Sequence, residues 1–149
     1  MSRRREELAP GQPNTIVFED YFSKSQGRTF RIDIQSPARL HELETIMRAL
    51  AAGKSHRVTL SQLGDAHWVP PLADIVLQVG PSWATPRIRY EERGEKLACN
   101  WTNSIEGWQD SADETAAMTA GGPRHQYFTD RHAPLGKADS ATLELAYME

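Results

Sequence analysis

The segment from Ser104 to Asp130, SIEGWQDSADETAAMTAGGPRHQYFTD, constrains the fold more than any other part of the chain. It reads as one amphipathic helix, a double-glycine stop and an aromatic strand. Ile105, Trp108, Ala112, Thr115 and Thr119 recur at helical spacing and share one face. Glu106, Asp110, Asp113 and Glu114 fall on another face as an acidic stripe. A helix that packs with Trp and small residues, and turns carboxylates to water, is suited to docking on a basic partner. No catalytic, metal or phosphate motif accompanies it.

Upstream, the apolar pattern alternates between strand and helix periods. Thr15 to Tyr21 and Thr29 to Ile34 each carry alternating apolar residues around the turn SKSQGR and predict a hairpin with one apolar face. Ser36-Pro37 then opens a helix, with serine as cap and proline at the first helical position. Leu40, Leu43, Met47 and Leu50 form its buried stripe. Glu44 and Arg48 are ordered for an i,i+4 pair, and Gly53 is placed for the left-handed cap. Arg57 to Leu60 is a short strand candidate, and Ser61 to Pro71 reads as irregular. Ala73 to Val79 predicts a central strand. Arg87 to Glu91 and Leu97 to Thr102 predict a second hairpin. His125 to Thr129 and Ala141 to Met148 predict the last two strands. Hairpins dominate and no βαβ repeat is visible. The expected class is therefore α+β, a mainly antiparallel sheet with two principal helices near residues 37–52 and 104–120. Residues 1–14 read as a flexible tail and 15–149 as a single domain.

Composition narrows the function classes. A net charge of −3 argues against long-range attraction of nucleic acid. The single cysteine, Cys99, excludes a disulfide framework and suits a reducing compartment. Arg3 to Arg5 lack the apolar run a signal peptide needs, and no window is long and apolar enough to span a membrane. The cytoplasm is the expected location.

The chemistry-bearing residues read mostly as structural. Cys99 alternates with Leu97 and Trp101 on an apolar strand face, which makes it a buried thiol rather than a nucleophile. The five histidines lack zinc-ligand spacing. The carboxylate doublets Glu19-Asp20, Glu91-Glu92 and Asp113-Glu114 point adjacent side chains apart, unlike an acid and base facing across a cleft. No phosphate-cradling loop is present, because Pro123 stands where a donating amide is wanted. No catalytic, metal or cofactor residues are expected. Trp101 and Trp108 look core-facing. Trp68 and Trp83 lie in Pro-rich stretches, where loop tryptophans serve either as interface anchors or as the cover of a core end.

The pattern Trp101, Gly107-Trp108, Gly121-Gly122 and His125-Gln126-Tyr127 resembles small bacterial immunity-type proteins encoded beside secreted toxins. The resemblance covers about a quarter of the chain and carries no shared active site. It implies a cytoplasmic protein that neutralises a cognate toxin by stoichiometric occlusion, its carboxylates occupying a basic site. The expected partner-binding residues are Glu106, Asp110, Asp113, Glu114, Trp68 and Trp83. The alternative is a small-molecule-binding domain or small enzyme, its pocket lined by His67, Trp68 and His125. A third reading is a homodimer joined through an exposed sheet edge.

Overall fold

Both helices begin where their capping residues dictate. In the computed structural model, which describes residues 16–25, 27–81, 86–129 and 140–147, helix α1 spans Pro37–Ala51. The Ser36 hydroxyl accepts from the Arg39 amide at 3.2 Å, and Pro37 occupies the first turn. Gly53 follows in the left-handed region at φ +74°, as the sequence predicts. Helix α2 spans Ile105–Ala117, capped by Ser104, which accepts from the Gly107 amide at 3.0 Å. A Cβ on Gly107 would fall 1.8 Å from the Asn103 side-chain oxygen, which itself accepts from the Ser104 amide at 3.0 Å. A larger residue at that position would have to displace the Asn103 side chain from the Ser104 amide.

Nine strands accompany them among the described residues: β1 (Ile16–Ser23), β2 (Gly27–Ile34), β3 (Arg57–Thr59), β4 (Ala66–Trp68), β5 (Leu72–Val79), β6 (Arg87–Arg93), β7 (Lys96–Asn103), β8 (His125–Thr129) and β9 (Thr142–Tyr147). They form a five-stranded sheet, β4-β1-β2-β9-β8, and a four-stranded sheet, β3-β5-β7-β6. Both predicted hairpins, β1–β2 and β6–β7, are present in continuous antiparallel register. The α+β class with two helices is as the sequence indicates. What local pattern does not mark are the parallel pairs, β1 with β4, β2 with β9 and β5 with β7. Each joins segments that are distant in sequence or separated by another strand.

Two sequence expectations are corrected. The stretch from Ser61 to Pro71 is not irregular throughout, because Ala66–Trp68 adds β4 to the edge of the larger sheet. The apolar face of α2 is also shifted: Trp108, Ser111, Ala112 and Thr115 are buried, whereas Ile105 is 49% exposed and Thr119 is exposed. Ile105 opens the helix before it has crossed the core. Thr119 lies beyond Ala117, where the chain has already left the helical path toward Gly121.

One buried cluster runs through both sheets and both helices. Trp101 on β7 is its junction. Its ring lies 4.8 Å from Trp108 on α2 and 4.8 Å from Phe128 on β8, so one side chain ties the smaller sheet to a helix and to the larger sheet. Phe30 on β2 meets Tyr90 on β6 edge-on at 5.9 Å and makes a second bridge between the sheets. Trp108 Nε1 donates to the Gln78 carbonyl at 3.0 Å and orients α2 on β5. The helices join through Thr115 Oγ1 and Met47 Sδ at 3.3 Å, and through the Arg48–Asp113 pair at 3.1 Å. No helix among the described residues is long and apolar enough to cross a membrane.

Leu43 is 1% exposed and Trp101 is fully buried. Leu43→Ala and Trp101→Ala are each expected to lower stability by about 2–5 kcal/mol, through lost apolar transfer and an unfilled cavity. Urea unfolding monitored by circular dichroism measures this, and a parent-like midpoint would place the residue outside the core.

Candidate functional site

A strand that alternates apolar and polar residues normally turns the polar ones to water. In β9 every residue from Thr142 to Tyr147 is buried. The strand is internal, between β2 and β8, and its polar row carries Glu144 with only 4% of the side chain exposed. A buried carboxylate must be matched by donors. The matching groups come from three other strands of the same face.

Tyr21 on β1 reaches across β2, and its hydroxyl donates to Glu144 Oε1 at 2.6 Å. His125 Nδ1 on β8 lies 2.7 Å from Glu144 Oε2. The Tyr127 hydroxyl donates to the same oxygen at 3.4 Å. Arg31 on β2 brings its Nε to 3.8 Å from Oε1. The register explains the convergence: Glu19, Arg31, Glu144 and Tyr127 form one row across the sheet, with His125 and Tyr21 in the rows on either side. Burial pushes the Glu144 carboxyl up, but hydrogen bonds from Tyr21 and His125 and the Arg31 charge outweigh it, so the group sits below its ordinary range. An ionised carboxylate accepts only, so Nδ1 of His125 carries the hydrogen in this contact. Burial, together with the neighbouring carboxylate, raises the phenols of Tyr21 and Tyr127. Both tyrosines therefore remain neutral donors at physiological pH.

The outer parts of this cluster stay accessible. Tyr21 is 36% exposed, Tyr127 is 49% exposed, and 41% of the His125 side chain faces solvent. The face thus offers three rings, each hydrogen-bonded to one buried acid. Among the described residues, His125 has no hydroxyl or thiol partner, so its pairing with Glu144 is a positioning contact rather than the start of a nucleophile relay. Cys99 is fully buried on the opposite side of the core arrangement, on β7, and burial pushes its thiol up. Among the described residues no three His, Cys, Asp or Glu side chains gather as metal ligands.

Glu106, Asp110, Asp113 and Glu114 are all exposed on α2. Asp113 is engaged by Arg48 and by Gln109 at 3.3 Å, so part of the acidic stripe serves helix–helix packing. Trp68 is not a loop residue. It lies on β4 with its ring stacked on Phe18 at 3.9 Å and 10°, covering the edge of the core. Trp83 lies outside the described residues. The alternative pocket does not assemble, because His67 and His125 occupy the two outermost strands of the five-stranded sheet, about 19 Å apart at the usual strand spacing. Trp68 is on the other face, beside Phe18. A groove of about 210 Å³ lies between α1 and α2, against Leu40, His41, Glu44 and Thr115. It is smaller than the few hundred Å³ usual for a ligand pocket.

Sequence reasoning missed Glu144, Tyr21, Tyr127 and Arg31. The available signal was a lone Glu in the polar phase of a closing apolar strand, with aromatics in the same phase of other strands. Nothing local states that these strands are neighbours. Compared with known proteins, the chain matches no family model, no curated sequence and no solved structure.

A carboxyl held below its ordinary value of 4.5 contributes stability that is present above that value and lost as pH falls through the lower folded value. Urea midpoints of the parent should therefore drop on acidification below about pH 5, while Glu144→Gln, with no charge to lose, should start lower and fall less steeply. Parallel curves would show that Glu144 is not ionised in the folded protein. Cys99, neutral and enclosed, is expected to resist alkylation at pH 8 at least ~100-fold better than in urea, because reaction requires the thiolate and access. Mass spectrometry after iodoacetamide treatment reads this, and rapid native labelling would put the thiol at the surface.

Proposed function

We propose that this protein is an immunity-type inhibitor that binds a cognate bacterial toxin in the cytoplasm and neutralises it by stoichiometric occlusion. The observation that carries the reading is the set of half-exposed rings, Tyr21, His125 and Tyr127, fixed on the buried Glu144. Aromatic anchors dominate protein interfaces, and anchors that are already ordered lose little freedom on binding.

The resemblance to immunity-type proteins rests on Trp101, Gly107-Trp108, Gly121-Gly122 and His125-Gln126-Tyr127. Its residues form one connected unit in the fold. Trp101 packs on Trp108, and the Gly107 amide donates to the Ser104 cap. Gly121 turns the chain at φ +88°, and Gly122 packs so tightly that a Cβ would lie 2.5 Å from the Ala117 carbonyl. That turn delivers His125 and Tyr127 to Glu144. The acidic positions Glu106 and Asp110 remain exposed on α2 and speed association with a basic protein by long-range attraction.

Affinity capture with the full chain, from the organism that encodes it, tests the reading. A secreted toxin is expected in a one-to-one complex, lethal when expressed alone and harmless when co-expressed with this chain. Capture of no toxic protein, or toxicity unrelieved by co-expression, overturns it.

A further inference from the structure

We infer that the face over Glu144 receives an arginine side chain of a protein partner, stacked on the rings of Tyr21 and Tyr127. The inference deepens the proposed function by naming the chemistry of the partner at that site, and so it rests on that reading for the identity of the partner.

Both tyrosine hydroxyls donate to one carboxylate, at 2.6 and 3.4 Å, so the two rings slope inward from opposite sides of β2 and β9. In the row of Tyr21, Thr29 and Thr142, paired across the strands, are almost completely covered. The result is a shallow aromatic surface with exposed ring and an anion behind it. An aromatic face carries the negative part of the ring quadrupole and attracts a cation placed over it. Donating its hydroxyl hydrogen to a carboxylate makes a phenol ring richer in electrons still. Arg31 approaches Glu144 from the β2 side, at 3.8 Å, and does not lie over either ring. Among the described residues the cations that stack on tyrosine do so elsewhere: Arg28 over Tyr90 at 4.8 Å and Arg124 over Tyr147 at 5.8 Å. Among the described residues neither Tyr21 nor Tyr127 carries such a cation.

Arginine fits better than lysine. A guanidinium is planar, weakly hydrated and stacks flat, whereas an ammonium is a strongly hydrated point charge. The chain's net charge of −3 and the exposed Glu106 and Asp110 favour a cationic partner and disfavour an anionic one.

The test uses the full chain and oligo-arginine, oligo-lysine and oligo-glutamate peptides of equal length, with ring resonances of Tyr21 and Tyr127 followed by NMR. Oligo-arginine is expected to shift both rings and to bind more tightly than oligo-lysine. Tyr21→Leu and Tyr127→Leu should each weaken oligo-arginine binding about two- to fivefold, the loss of one exposed cation–π contact. Phe22→Leu, a parallel substitution at an exposed aromatic on the other strand face, should leave it unchanged. Equal binding of the lysine peptide with unaltered Leu variants, shifts confined to α2, preference for oligo-glutamate, or ring shifts caused by self-association without peptide would each overturn the inference. The two readings fail separately. A toxin captured equally well by the Tyr21→Leu/Tyr127→Leu chain defeats this inference and leaves the immunity function standing. Arginine binding at the rings with no toxin captured defeats the function and leaves this inference standing.

Discussion

Trp101 is the contact on which the arrangement depends. It is fully buried and touches Trp108 on α2 and Phe128 on β8, so it decides how the helix and the last hairpin of the larger sheet meet the smaller one. Strand alternation carries the consequence to the surface. Once Phe128 points inward to Trp101, its neighbour Tyr127 must point outward, and His125 lies in the same outward phase. The core contact thereby aims two site residues at β9. A core residue and a surface cluster are in this way one problem of register.

Glu144 is the counterpart of Trp101 on the other face. Desolvating a carboxylate costs several kcal/mol when it is unmatched. Here the cost is offset by donors from β1 and β8 and by the charge on β2, which together keep the group ionised. The compensation has a structural by-product: residues from four strands are held in one place. A buried polar network of this kind specifies the pairing of strands that apolar packing alone would tolerate in more than one order. It also leaves rings tethered by hydrogen bonds and partly exposed, a form in which binding residues lose less entropy on contact. Stability and recognition thus draw on the same carboxylate.

The acidic helix shows why a pattern on one element is an incomplete guide to a surface. Glu106, Asp110, Asp113 and Glu114 are exposed as their spacing implies. Yet Asp113 is shared with Arg48, a residue more than sixty positions away that its sequence neighbourhood cannot announce. Trp68 teaches the converse. Proline-rich surroundings mask a three-residue strand, and the ring covers Phe18 at the edge of the sheet instead of standing free.

By itself the sequence determined what depends on neighbours in the chain. Ser36, Pro37 and Gly53 set the ends of α1, and Leu40, Leu43, Met47 and Leu50 set its buried stripe. The short connections of β1 to β2 and of β6 to β7 made those pairs antiparallel hairpins, and the class followed from their number. Caps, turns and periodicity act over a few residues, so they are readable locally. The tertiary structure decided the parallel pairing of β2 with β9 and the insertion of β9 between β2 and β8. Those choices depend on the burial of surfaces separated by more than a hundred residues, and no local propensity encodes them. The cluster of Tyr21, Arg31, His125, Tyr127 and Glu144 exists only after they are made. Each residue alone is an ordinary polar position on a strand, and only the sheet order brings a carboxylate, two phenols, an imidazole and a guanidinium within reach of one another.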